Sequence, residues 1–201
     1  HFHGTDVKHV PRSWLLRKVL LLADMVCYVS NSMAQPLSVA IPPERLLYTP
    51  NGVDMDMFPK GDGNRSDLIL MVGSLRWQKG YIEALNAFSL FRSKHPKWKL
   101  VIVGQGPMHN DLNREVVKLG LGQSVVLVDM ASRKQVAKRM RDCRIFMLSS
   151  VTEGFPKVIL EAASSGLPMV VTDVGSCGEL VEGKIGIVVG IRDWRAMAEG
   201  M

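Results

Sequence analysis

The chain is expected to fold as an α/β protein with a doubly wound parallel sheet, on three observations. Short apolar runs recur at Leu68–Val72, Leu100–Val103, Val125–Val128, Ile145–Leu148, Met169–Val171 and Ile187–Val189. Helical stretches separate most of these runs, and strand–helix alternation builds parallel sheets through crossover connections. Several runs end in glycine-bearing or small polar turns, which places candidate ligand-contacting residues at the carboxyl ends of the strands.

Composition is that of an ordinary globular protein. Of 201 residues, 47% are hydrophobic and 22% charged, enough to bury a core. No segment has the roughly 18 uninterrupted apolar residues of a membrane span; the closest, Val19 to Val29, is broken by Asp24. The opening His-Phe-His-Gly, with no initiator Met and no basic-then-apolar leader, reads as part of a longer protein. Cys27, Cys143 and Cys177 lack CxxC spacing and cannot all pair, which points to a reduced, cytoplasmic setting. A formal charge of +6 and a pI near 9.4 attract anions in general. The basic clusters at Lys94–Lys99 and Arg133–Arg144 fall on helical stretches as solvated faces. No RNA-binding signature or zinc spacing accompanies them, so nucleic acid is not an expected partner.

Taken in order, Phe2-His3-Gly4-Thr5-Asp6 reads as a strand end breaking into a turn. Pro11 to Leu22 reads as a helix, with Trp14, Leu15, Val19 and Leu22 on a face expected to pack on a core. Arg12, Arg17 and Lys18 also make it basic and amphipathic, the pattern of a helix lying on a membrane surface. Asp24 to Ser30 follows as a buried strand, Asn31 to Ala40 as a helix, and Leu46 to Asp54 as a strand and turn. Lys60 to Ser66 is polar and glycine-rich, the best linker in the chain.

Four loops then carry the candidate chemistry. Val72-Gly-Ser-Leu-Arg-Trp-Gln-Lys-Gly80 leaves the first run of the larger sheet and sets Lys79 at a helix start. Val103-Gly-Gln-Gly-Pro-Met-His109 opens like a dinucleotide fingerprint, but His109 replaces the third glycine and no acid stands about 20 residues on, so NAD is a weak reading. Asp129 follows the Val125–Val128 run. The fourth loop, Ser150 to Pro156, leads into a helix running to about Gly166, with Pro156 at its first position and Gly154 turning the chain. Strand, glycine turn and helix aim free amides and a positive helix end at one spot, which suits a phosphate. Two carboxylates flank that spot, Glu153 on the loop and Glu161 on the helix's second turn.

The stretch Glu153-Gly-Phe-Pro-Lys-Val-Ile-Leu-Glu161 within Ser150–Met169 resembles the E-x7-E signature of the retaining family-four glycosyltransferases. Those enzymes place two Rossmann-like domains in the arrangement called GT-B, and the resemblance runs from Phe2 to about Ala198. It implies the end of an acceptor-side Rossmann-like domain at 1–59, a linker at 60–66 and a nucleotide-sugar-binding Rossmann-like domain at 67–201. It implies transfer of a sugar from a nucleoside diphosphate sugar to a sugar or lipid-linked acceptor, with retention, and without cofactor or metal. By this resemblance His3 faces the reaction centre, Lys79 neutralises the donor diphosphate, Glu153 orients the sugar and Glu161 holds the ribose. Gly104, Gly106, Gly154, Phe155, Pro156 and Lys157 would line the donor, and Asp129 would meet the base, where relatives commonly carry Gly. The family's Arg after the strand-end glycine is Ser74 here, so Arg76 is the candidate substitute. Gly175 and Gly178 lie in a turn resembling G-G-x-x-E, in which Glu179 reads as structural. Asp54-Met-Asp56 has metal-site spacing but lies in a turn away from any strand end. Two alternatives stay open: a sugar-nucleotide epimerase of the same architecture, and a nucleotide-binding module without turnover.

Overall fold

The computed structural model describes residues 13–183 and 185–201, and the expectation for His3 lies outside them. A small unit comes first: α1 (Trp14–Leu21), β1 (Val26–Tyr28), α2 (Asn31–Ser38) and β2 (Leu46–Tyr48), with β1 and β2 paired in parallel. The larger unit follows as β3 (Leu68–Val72), α3 (Tyr81–Lys94), β4 (Lys99–Val103), α4 (His109–Lys118), β5 (Val125–Val128), α5 (Arg133–Asp142) and β6 (Ile145–Leu148). It continues through α6 (Lys157–Ser164), β7 (Met169–Thr172), α7 (Cys177–Val181), β8 (Gly186–Val189) and α8 (Trp194–Gly200).

All six strands of the larger sheet are parallel, in the order β5-β4-β3-β6-β7-β8. The alternation read from the sequence therefore gives a doubly wound α/β sheet. Its order reverses between β3 and β6, and a crevice opens at the carboxyl ends of strands at such a reversal. The strands read as continuous apolar runs because helices cover both faces. Ile69 and Met71 join Tyr81, Phe88, Leu100 and Ile102 on one side. Leu70 joins Val101, Phe146, Leu148, Ile159 and Val171 on the other, as the two-residue period of a strand requires.

The smaller unit departs from expectation. Trp14, Leu15, Val19 and Leu22 are exposed, and only Leu20 of α1 is buried. The two three-residue strands offer too little surface to cover that face among the described residues. Likewise β1 is shorter than the expected buried strand, with Val26 buried and Cys27 exposed. Segment 60–66 is laced to the larger unit: the Gly61 amide and the Arg65 guanidinium both donate to the Ser165 carbonyl, at 3.3 and 2.7 Å. The Ser66 amide donates to Asp142 at the end of α5. Asp54 is no free ligand either, since its carboxylate accepts from the Met57 amide at 2.9 Å and closes a turn.

Candidate active site

The loops after β3 and β6 meet across the reversal of strand order. The Ser149 hydroxyl donates to the Lys79 carbonyl at 2.8 Å, and the Val151 amide to the Gln78 carbonyl at 2.8 Å. Gly80 makes this approach feasible. It adopts φ +61°, and a Cβ there would lie 2.0 Å from the Ser149 carbonyl oxygen. A single 3-10 turn, Trp77–Lys79, leads into it and delivers the Lys79 side chain across the crevice.

There Lys79 Nζ meets Glu153 Oε1 at 2.5 Å, with Glu153 only 10% exposed. The Ser150 hydroxyl donates to the same oxygen at 2.7 Å. Seventy-four positions apart in sequence, the ammonium and carboxylate are brought together by the fold alone. Tyr81 and Cys177 lie around them, neither a site candidate from sequence. Tyr81 donates to the Gly73 carbonyl at 2.9 Å; its burial, then the charge of Glu153, hold the phenol well above its ordinary range. Burial, then the same carboxylate, push the Cys177 thiol up to about 12. Gly175 supports the loop from below: at φ +60°, its missing Cβ would sit 2.5 Å from the Glu153 carbonyl oxygen. The Ser176 hydroxyl and amide both donate to the Gly154 carbonyl, at 3.1 and 3.3 Å.

The helix after this loop starts one residue later than expected. Pro156 precedes it in extended backbone (φ −76°, ψ 101°), and Lys157 is the first helical residue. Gly154 sits at a bend, as expected, without positive φ; left-handed backbone occurs at Gly175 and Gly80. No side chain caps α6, and although the Ile159 amide donates to the Pro156 carbonyl at 3.0 Å, the Lys157 and Val158 amides ahead of it suit an anion. Gly166 does end the helix, at φ +68°.

Glu161, 17% exposed, accepts from Arg133 Nη2 at 2.9 Å. Arg133 is thus not merely a member of a solvated basic face. A capping box, Ser132 with Gln135, starts α5 at that residue. A cation at a helix N-terminus opposes the helix dipole, and the Glu161 carboxylate offsets that cost. The guanidinium also lies over the Phe58 ring, 5.3 Å from its centre. The Ser132-x-x-Gln135 pattern would have placed Arg133 at the helix start from sequence, but not its partner.

The remaining candidates spread along the same carboxyl edge. Gly104 and Gly106 let the loop after β4 close on the loop after β3, since a Cβ on either would lie 1.8 Å from the Gly73 carbonyl oxygen or 2.4 Å from that of Leu75. Asp129, just past β5, faces His109 at 3.1 Å. Ser74, Arg76 and Lys157 are exposed or nearly so, Phe155 is partly buried and Pro156 buried. Arg76 makes no ion pair among the described residues, and nothing draws it to Glu153 as Lys79 is drawn. Glu179 accepts from Asn31 Nδ2 at 2.5 Å, which ties α7 to the smaller unit. Together the site offers an ammonium and a carboxylate in a sheltered crevice, an uncapped helix start and a second carboxylate farther along the same helix.

The family model described as "Glycosyl transferases group 1" matches residues 54–201. The chain belongs to that family. Among curated members, a GDP-mannose:cellobiosyl-diphosphopolyprenol alpha-mannosyltransferase of Xanthomonas campestris is 29% identical over 180 residues, covering 86% of this chain and 47% of that protein. A glycogen synthase of Mycobacterium tuberculosis is 26% identical over 196 residues, 94% of this chain and 46% of that protein. The chain therefore spans less than half the length of either. Among solved structures, Anabaena HepE in complex with UDP superposes with a TM-score of 0.82 at 18% identity, over 99% of this chain and 57% of that one. The pneumococcal O-GlcNAc transferase GtfA, in complex with UDP and GlcNAc, does so with a TM-score of 0.77 at 17% identity, over 93% and 39%. These likenesses establish the fold as the Rossmann-like architecture of GT-B glycosyltransferases. Among the described residues no helix is long and apolar enough to cross a membrane.

Proposed function

We propose that this group 1 glycosyltransferase chain binds a nucleoside diphosphate sugar at the reversal of strand order and transfers the sugar to an acceptor with retention of configuration. The observation that carries the reading is the Lys79–Glu153 pair, sheltered at the crevice beside the uncapped start of α6. As the sugar leaves, the transition state has oxocarbenium character and the nucleoside diphosphate gains negative charge. Lys79 and the first amides of α6 stabilise that charge, a fixed electrostatic contribution that needs no reorganisation. Glu153 accepts hydrogen bonds from donor-sugar hydroxyls, and Glu161 accepts from the ribose hydroxyls as acids do in other Rossmann sites. Ser74 leaves the second cation to Arg76, which lies three residues upstream of Lys79 and reaches the diphosphate by moving its exposed side chain.

The charge is supplied by side chains and amides, so the reaction proceeds without a metal or cofactor. The acceptor is a sugar or a lipid-linked sugar; the Xanthomonas relative carries a diphosphopolyprenol acceptor in its name. The exposed Trp14, Leu15, Val19 and Leu22 beside Arg17 and Lys18 suit peripheral contact with the inner face of a membrane. Three unbridged cysteines fit a cytoplasmic setting. A thermal-shift panel of UDP-, GDP- and ADP-sugars, with NAD as control, tests the reading. At least one nucleotide sugar should raise the melting temperature and NAD should not. Glu161→Ala should remove that rise while lowering the unliganded stability by about 1 kcal/mol or less, because its partner Arg133 is well exposed. A large loss of basal stability would instead make Glu161 a scaffold residue.

A further inference from the structure

Glu153 is held by more than its salt bridge. Ser150, just past the end of β6, is buried, and its hydroxyl donates to Glu153 Oε1 at 2.7 Å. The Ser150 carbonyl is itself pinned: Thr172, the last residue of β7 and also buried, donates to it at 2.6 Å. Strand β7 lies beside β6, so the sheet fixes the spacing of these two residues. The backbone of the same loop is braced by Gly175, which lies against the Glu153 carbonyl, and by Ser176, which donates to the Gly154 carbonyl. Lys79 and Ser150 both donate to Oε1, and among the described residues Glu153 Oε2 accepts no hydrogen bond. The two donors differ in freedom. The lysine ammonium ends a flexible four-carbon stem, whereas the serine hydroxyl stands a single side-chain torsion from pinned backbone.

We infer that Ser150, anchored by Thr172, is the positioning residue that aims Glu153 at the donor sugar, a claim that rests on the donor-site reading above. An ionised carboxylate only accepts hydrogen bonds, and sugar hydroxyls can supply them. A hydroxyl fixed on Oε1 sets the rotation of the carboxylate and leaves Oε2 for the sugar. When a diphosphate enters, the Lys79 ammonium turns toward the larger charge and its hold on Glu153 weakens. Ser150 is uncharged, is not drawn to the diphosphate and stays on Oε1. Glu153 therefore keeps its aim while Lys79 changes partner. Groups that must be placed to within about 0.5 Å depend on such supporting contacts. Buried as they are, Ser150 and Thr172 act through Glu153 and not on the sugar itself.

Isothermal titration of the protein with UDP, GDP and ADP, each beside a sugar form (UDP-glucose, GDP-mannose and ADP-glucose), tests this on the pair that binds most tightly. Ser150→Ala should weaken the sugar form about tenfold, the scale of one hydrogen bond to a charged group, and the bare nucleotide by less than about twofold. Thr172→Val, which keeps the shape and removes only the anchor, should weaken the sugar form by a smaller factor in the same direction. In a Glu153→Ala background, Ser150→Ala should have no further effect on the sugar form, because the contact it removes acts through that carboxylate. Equal weakening of the nucleotide and its sugar form in Ser150→Ala would make Ser150 a scaffold residue and overturn the inference. An unchanged sugar form, or an effect undiminished without Glu153, would overturn it too. Each of these results leaves the donor site standing. Failure of every nucleotide and sugar form to bind the unaltered protein would overturn the donor-site reading itself.

Discussion

Cys177 shows how a single side chain reports on the site without acting in it. Its thiol lies under the Glu153 loop and is buried, and burial and that carboxylate push it up to about 12. Cys143, at the end of α5, is raised to about 12 chiefly by burial as well. Cys27 is exposed. A thiol-reactive chromophore at pH 8 should therefore titrate one cysteine of three in the native protein and all three after denaturation. The sign with pH follows. The unfolded thiols ionise near 9, the folded ones near 12, so the unfolded state releases protons first. Their contribution to stability is complete below pH 9 and is lost as pH rises from there through 12. Urea midpoints measured from about pH 8 to 11 should fall, and Cys143→Ala/Cys177→Ala should flatten the slope.

At the scale of the element, the site is a matter of how closely two loops approach. Gly80 both ends the 3-10 turn and starts α3 in left-handed backbone, against the Ser149 carbonyl. Gly80→Ala adds backbone strain of about 1–3 kcal/mol and a clash that only separating the loops relieves. Gly120 has nearly the same φ, +66°, but open space where a Cβ would go. Gly120→Ala should therefore cost about 1 kcal/mol and leave activity intact, whereas Gly80→Ala should cost more and abolish turnover. Urea denaturation and sugar transfer, measured on both variants, separate strain from displacement. Equal losses in the two would show that the Gly80–Ser149 approach is unimportant. The capping box of α5 belongs to this scale too, because it fixes where Arg133 leaves the helix.

For the whole molecule, burial is divided unevenly. Two large apolar clusters sandwich the six-stranded sheet, while among the described residues the smaller unit has one cluster of six buried residues and strands of three. Local opening follows the density of such contacts. In hydrogen exchange, amides of β3, β4 and β6 should be the last to exchange, and those of β1 and β2 should exchange well before them. Exchange of both sets in one cooperative step would show that the Asn31–Glu179 contact and its surroundings make the two units one folding body.

The strand positions of the larger sheet were legible from the chain alone, because six buried runs bounded by turns leave little other use for such residues. So were the candidates Lys79, Glu153 and Glu161, whose local context carries the family resemblance. Local pattern could not reveal pairing across distance. That Glu153 is neutralised by Lys79, and Glu161 by Arg133, depends on β3 lying beside β6 and on α5 reaching α6, contacts between residues 74 and 28 positions apart. The same limit explains α1: amphipathic periodicity says which residues share a face, but only the tertiary arrangement decides whether anything covers it. Sequence determined the elements and the chemistry each carries, since propensity and period are local properties. Tertiary structure alone decided which charges meet, because strand order, not chain order, sets the neighbours.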